Sequence, residues 1–384
     1  MEALTGARLH GPDGFLAGRA LLLEGGTVRD IVAEDAIPPA ARITRLAGGT
    51  LAAGFIDLQV NGGGGVMFND APSVDTIAAI GAAHRARGTT SFLPTFISGA
   101  RAEMAQAVAA VRAALEQAVP GVLGIHFEGP HLNPARRGAH AAAALRPPAE
   151  GDIDLLASLG TGRTLVTLAP ECVAPADIAA LAGRGVIVAA GHSAADAETM
   201  SRAVAQGLGG VTHLFNAMGP LGHREPGTAG AALGTDSLAC GIVADGVHVH
   251  WDMLRLAWRA KPRGRLFLVS DAMLPVGTSA LDEFRLGDEL VRVVDGCLRT
   301  ADGRLAGSLL DLGAAVRNCV VHAGIPLEDA LSMAAAWPAD FLGVGAERGR
   351  LAPGLRADLV WLDDDPRVRT VWTAGVPADA PADT

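Results

Sequence analysis

The stretch GFIDLQVNGGGG, residues 54–65, reads as a short apolar strand that ends in a polar mouth. It leaves through Asp57, Gln59 and Asn61 into four consecutive glycines, which let the backbone turn tightly and approach its neighbours closely. The chain then repeats the unit: a buried run of β-branched and apolar residues, a polar stop, and an Ala-rich helical stretch. The runs are LAAGFIDLQV (51–60), TTSFLPTF (89–96), VLGIHFEG (122–129), TLVTLAPE (164–171), VIVAAGHS (186–193), GVTHLFNAM (210–218), LACGIVADG (238–246) and LFLVSDAM (266–273). Helical segments such as SVDTIAAIGAAHRARG and ADAETMSRAVAQGLG lie between several of them. Continuous hydrophobic strands alternating with helices predict a parallel sheet covered on both faces. Eight of them in roughly 250 residues is the size of a TIM barrel. A doubly wound open sheet is the rival, but no G-x-G-x-x-G follows the first strand.

The chain ends read differently. Residues 1–50 hold short strand-like pieces broken by turns, and after 355 the pattern returns in ADLVWLDDD and VRTVWTAGV. The expectation is an α/β protein: a TIM (β/α)8 barrel over 54–355, and a small β-sandwich domain built from both chain ends, 1–53 plus 356–384.

Bulk properties narrow the function. The 384 residues are 49% apolar and 19% charged, which is the make-up of a folded chain with a large core. A formal charge of −10 speaks against nucleic acid or an anionic membrane as partner, though a few local cations suffice for a small anion. Cys172, Cys240, Cys297 and Cys319 form no C-x-x-C pair, the N-terminus lacks a signal-like apolar core, and no apolar run approaches a membrane span. A cytoplasmic protein is expected.

In a barrel, function sits at the C-terminal strand ends. There the third run places Glu128, the fifth His192, the sixth His213 and the eighth Asp271. Two histidines and a glutamate are a zinc set with the fourth position left for water, and a nearby carboxylate can carry protons. Each residue alone has an ordinary structural explanation; four on the strand ends of one barrel do not share one. The loops EGPHLNPARRGAH (128–140), HLFNAMGPLGHREPG (213–227) and DGVHVH (245–250) add cations and polar donors enough for a phosphate or a sugar.

These stretches, together with AGHSAA, LVSDAM, LAGS (305–308) and the C-terminal RGRLAPGLRADLVWLD, resemble the amidohydrolase superfamily. Within it they are most similar to the N-acetylglucosamine-6-phosphate deacetylase family, over nearly the whole chain. The resemblance implies that Glu128, His192 and His213 hold one divalent metal, zinc first, with iron or another divalent ion as alternatives. It implies Asp271 as general base and then acid, and His140 against the acetyl or sugar part, polarising the amide carbonyl. Ala139, Asn216, Ala217 and the Leu305–Ala306–Gly307 segment would line the substrate pocket, and Arg224 and His248 would bind its phosphate. Relatives are commonly homodimers in which the equivalent of Arg224 serves the neighbouring site. Many superfamily members carry His-x-His where this chain has Gln59-Val60-Asn61, and neither amide is a strong zinc ligand. Lys261 lies far from the fourth strand, so no bridging lysine is expected there either. One metal follows, with Gln59 and Asn61 as hydrogen-bonding, substrate-facing wall residues or else a structural strand end. The expected partner is a phosphorylated N-acetyl amino sugar. The galacto epimer is the alternative substrate, a dihydroorotase-like cyclic-amide hydrolase a more distant one, and a non-catalytic binding scaffold the non-enzyme reading.

Overall fold

The computed structural model describes residues 1–278, 281–287 and 289–379. Eight strands form one sheet in sequence order: β1 (Phe55–Val60), β2 (Thr89–Ile97), β3 (Gly124–Glu128), β4 (Arg163–Leu168), β5 (Ile187–Ala190), β6 (Leu208–Val211), β7 (Ala239–Ile242) and β8 (Leu266–Leu268). Every pairing between neighbours is parallel. The sheet closes on itself through a parallel bridge between Val60, the last residue of β1, and Ala272, a little beyond the end of β8. Side chains reinforce that seam: Asp57 Oδ1 accepts from the backbone N–H of Ser270 at 3.2 Å, and the Ser270 hydroxyl donates to the Gln59 carbonyl at 3.3 Å. The result is the TIM barrel that the eight runs predicted.

All residues of β1, β2 and β3 are buried, as expected of strands with a packed interior on one face and helices on the other. Phe55, Phe92, Phe96 and Phe127 are among the largest fully buried side chains, each worth ~1.5–3 kcal/mol relative to exposure. Helices start where the sequence supplies caps. Ser73 Oγ accepts from the N–H of Thr76 ahead of Val74–Arg85, and Asp196 accepts from Thr199 ahead of Ala197–Ala205.

The run 51–60, which reads as one strand, is two. Thr50–Ala53 pairs antiparallel with Leu359–Leu362 in a six-stranded sheet, and β1 begins only after Gly54. A Cβ at Gly54 would lie 2.3 Å from the Thr90 side chain, so the handover between sheets needs a residue without one. The six-stranded sheet joins strands from both chain ends, and a four-stranded sheet from residues 2–45 lies with it around Leu4, Leu9, Leu21, Leu51, Leu359 and Trp372.

One element was not foreseen. Glu283–Leu286, Glu289–Val294 and Cys297–Thr300 form a three-stranded antiparallel meander with its own small core, in which Phe284, Leu286, Val291 and Leu298 meet Met67, Ile97 and Met273. Leu286 thereby reaches the cavity at the C-terminal end of the barrel.

Candidate metal centre and active site

Glu128 is the last residue of β3, and His192 and His213 each stand two residues beyond β5 and β6. His192, His213 and Asp271 have φ of 49°, 33° and 54°, in the left-handed region that non-glycine residues avoid. Phe215 and Ala217 share it, at 80° and 51°. Such conformations cost on the order of 1–3 kcal/mol each and persist where the surroundings hold them. Here the sharp turn at each strand end keeps the side chain over the barrel axis instead of letting it follow the departing loop.

Three donor atoms converge. Glu128 Oε1 lies 3.2 Å from His192 Nε2 and 2.8 Å from His213 Nε2, and the two histidine nitrogens are 3.1 Å apart. His192 Nδ1 is 2.8 Å from the backbone carbonyl of Arg136, which can only accept, so Nδ1 carries the proton and Nε2 offers its lone pair inward. Glu128, His140 and His192 also place ligand atoms within 4.8 Å of one another. His140 Nε2, however, stands 3.8 Å from Glu128 Oε2, farther than His213 stands from Oε1, and its Nδ1 is tied to Ser98 Oγ at 2.8 Å. A carboxylate and two imidazoles around one point can hold a divalent metal, and of the other two histidines at Glu128, His213 stands nearer than His140.

The electrostatics are those of a closed, charged site. Burial raises the Glu128 carboxyl, yet the two imidazoles packed on its Oε1, His192 and His213, overcome it and hold the group well below the usual range. Burial lowers His213, and the Glu128 carboxylate more than reverses that. Burial, with the neighbouring His192, drives His140 down to about 3, leaving it a neutral imidazole. Burial, with the nearby charge of Glu128, lifts Asp271 to about 6. Asp271 Oδ1 accepts from Gln59 Nε2 at 3.1 Å and Asn61 Nδ2 at 2.7 Å, and Gln59 Nε2 also reaches Glu128 Oε1 at 3.1 Å.

A cavity of about 350 Å³ opens above these groups. Glu128, His192, His213 and Asp271 form part of its lining, with Asn61, Ala139 and His140 beside them. Asn216, Ala217, His248, Leu305 and Gly307 complete the set of expected residues that face it. His248 is held by Asp245, whose Oδ2 lies 2.6 Å from Nδ1. Three expected residues are elsewhere. Gln59 is buried beneath the cavity, facing the two carboxylates, and Ala306 is packed into the meander core. Arg224 lies exposed on the loop after β6, outside the cavity of its own chain.

Sequence reasoning missed Arg136 and Arg304, which both line the cavity. Arg304 is fully engaged, donating to both oxygens of Glu289, to Asp302 and to the Gly138 carbonyl. Arg136 Nε is buried without a partner among the described residues. The signal for Arg136 was available in RRG at 136–138, but nothing in the sequence separates it from Arg137, which turns to the His140 carbonyl and Glu289.

The Amidohydrolase family profile matches residues 50–379. The N-acetylgalactosamine-6-phosphate deacetylase of Shewanella sp. (strain ANA-3) is 47% identical over 331 residues, 86% of this chain and 84% of that protein. The human N-acetylglucosamine-6-phosphate deacetylase is 38% identical over 345 residues, 85% and 83% of the two chains. Among solved structures, the N-acetylglucosamine-6-phosphate deacetylase of Pasteurella multocida superposes with a TM-score of 0.95 at 34% identity, over 98% of this chain and 99% of the other.

Proposed function

The chain belongs to the amidohydrolase family, and from that premise we propose that it hydrolyses the acetamide of N-acetylglucosamine 6-phosphate, yielding glucosamine 6-phosphate and acetate. The observation that carries the reading is the convergence of Glu128, His192 and His213 in one cavity with a separately held carboxylate, Asp271.

Glu128, His192 and His213 hold one divalent cation, zinc in our reading with iron as the alternative. When bound it supplies Lewis acidity, which draws charge from a carbonyl oxygen and brings the pKa of water to about 7. Asp271 takes the proton of the attacking water and returns it to the amine nitrogen as the C–N bond breaks, without which the amine leaves poorly. His140, kept neutral by burial, accepts at Nδ1 from the Ser98 hydroxyl, which leaves Nε2–H to donate toward the acetyl carbonyl as charge develops there. Asn216 and Ala217 contact the sugar, with Ala139 and Leu305–Gly307 as the pocket wall. His248, backed by Asp245, binds the phosphate from within the chain, and Arg136 is the cavity-facing arginine without an acidic partner among the described residues. Arg224 would complete the clamp from a second subunit of a homodimer. Leu221 and Val247, exposed on the loops after β6 and β7, would be covered in that dimer. No helix among the described residues is long and apolar enough to cross a membrane.

The 47% identity to a galactosamine-phosphate enzyme favours a second reading, the same hydrolysis on the C4 epimer. Acetate release from N-acetylglucosamine 6-phosphate, N-acetylgalactosamine 6-phosphate and unphosphorylated N-acetylglucosamine decides among them. Turnover of the first above the second supports the main reading, and the reverse order supports the epimer. Equal turnover of plain and phosphorylated sugar, or none of any, overturns the proposal.

A further inference from the structure

Beneath the cavity, two side-chain amides meet one carboxylate oxygen. Gln59 Nε2 and Asn61 Nδ2 both donate to Asp271 Oδ1, at 3.1 and 2.7 Å. Gln59 and Asn61 alternate on β1 and its extension, so the strand's period of two aims both amides at the same interior point. The orientation of the amides follows from their neighbours. Asp271 and Glu128 as carboxylates only accept, so the NH2 ends must face them, and flipping either amide would set oxygen against oxygen. The consequence is visible at the other ends: Gln59 Oε1 and Asn61 Oδ1 are both buried without a partner among the described residues.

We propose that Gln59 and Asn61 are positioning residues for the general base: together they pin one oxygen of Asp271, so that its other oxygen exchanges the proton with water and amine. This rests on the assignment of Asp271 as base made above. It moves both amides away from a role in touching sugar, which for Gln59 agrees with its place outside the cavity lining. The backbone supports the same geometry, because the Asp271 N–H donates to the Gln59 carbonyl at 3.0 Å and the Asn61 N–H to the Ala272 carbonyl at 3.0 Å. The end of β1 therefore fixes both the main chain and the carboxylate of the residue that moves protons. A carboxylate held through one oxygen keeps a single rotamer through the catalytic cycle, which matters because misplaced catalytic groups lose rate steeply.

The test uses Asn61, whose side chain reaches Asp271 and not Glu128. Asn61→Leu removes the donors at similar size; Asn61→Asp, as a second variant, keeps the shape and places an acceptor against the carboxylate. Zinc content per subunit is measured for each, then kcat and KM for acetate release. The clamp predicts unchanged zinc, unchanged KM and a kcat lower by about 10- to 100-fold, the worth of one hydrogen bond to a charged group. In an Asp271→Asn background the same substitution should cost little further, because the group it positions is gone. A rise in KM with kcat preserved, or a full further loss in the Asp271→Asn background, overturns the proposal. A crystal structure of the zinc-loaded Asn61→Leu protein supplies a reading without substrate: the clamp predicts a rotated or divided Asp271 carboxylate, and an unmoved one refutes it. Should wild type release acetate from no amino-sugar phosphate, the deacetylase reading fails, and the crystal structure still decides the clamp.

Discussion

His213 Nε2 lies 2.8 Å from Glu128 Oε1, across 85 residues of chain and wholly inside the protein. The contact joins two strand ends that share no other chemistry, and the same oxygen also meets His192. Removing His213 leaves a buried carboxylate with one fewer donor. His213→Ala should therefore lose stoichiometric zinc and most acetate release. Its metal-free form should be destabilised by up to about 3–5 kcal/mol relative to metal-free wild type. Metal analysis and denaturant melts of both proteins check this. Retained zinc at full occupancy would assign the third ligand to His140.

Asp271→Asn preserves the size of the side chain and removes its capacity to take a proton. Zinc should stay at the wild-type level, because Glu128, His192 and His213 are untouched. Turnover should fall by about 10²- to 10⁴-fold, the usual worth of a general acid–base group. Zinc analysis beside steady-state kinetics separates the two, and unchanged kcat would remove Asp271 from the mechanism.

The parts of this molecule legible in the sequence share a physical cause. An apolar run that stops at Glu128, His192, His213 or Asp271 is conspicuous because a charged group at a strand end needs a reason, and a barrel gathers its strand ends at one mouth. The meander at 283–300 was not legible: its strands are short and half exposed, and its small core is completed by Met67, Ile97 and Met273 from distant segments. Why the run 51–60 divides at Gly54 was not legible either, since the division answers to the approach of Thr90 and not to any local turn signal. Which arginine faces the cavity is likewise a tertiary matter. Arg136 and Arg137 are neighbours, and only the fold turns one toward the site and the other to Glu289.

Asp57 is fully buried at the barrel seam, where Oδ1 accepts from the backbone of Gln59 and Ser270 and Oδ2 has no partner among the described residues. Burial pushes its carboxyl up to about 7, from an ordinary 3.8. A raised carboxyl favours folding in the protonated form, so its stabilising contribution is complete below the ordinary value and is lost as pH rises through about 7. Asp57→Asn removes that dependence. The melting temperature of the variant, measured against wild type at a series of pH values, should improve steadily from pH about 4 to about 7.5 and level off above. A difference that stays flat across the range would mean that Asp57 does not titrate there.

Arg224 offers the sharpest test of assembly, because it lies outside its own cavity while His248 and Arg136 line it. If a neighbouring subunit supplies Arg224, Arg224→Ala raises KM for the phosphorylated sugar by about tenfold or more, the worth of one charge-assisted bond, and leaves the unphosphorylated sugar unaffected. Complementation then follows from geometry. Mixing Arg224→Ala with Asp271→Asn and letting the subunits exchange creates heterodimers in which one site has both an intact base and an intact donated arginine. Random exchange of equal amounts should restore about a quarter of wild-type sites at limiting substrate. Arg136→Ala in place of Arg224→Ala behaves differently: its defect lies in the same chain as the intact Asp271, so mixing with Asp271→Asn restores nothing. Complementation by the Arg136 variant, or none by the Arg224 variant, would exchange the two assignments.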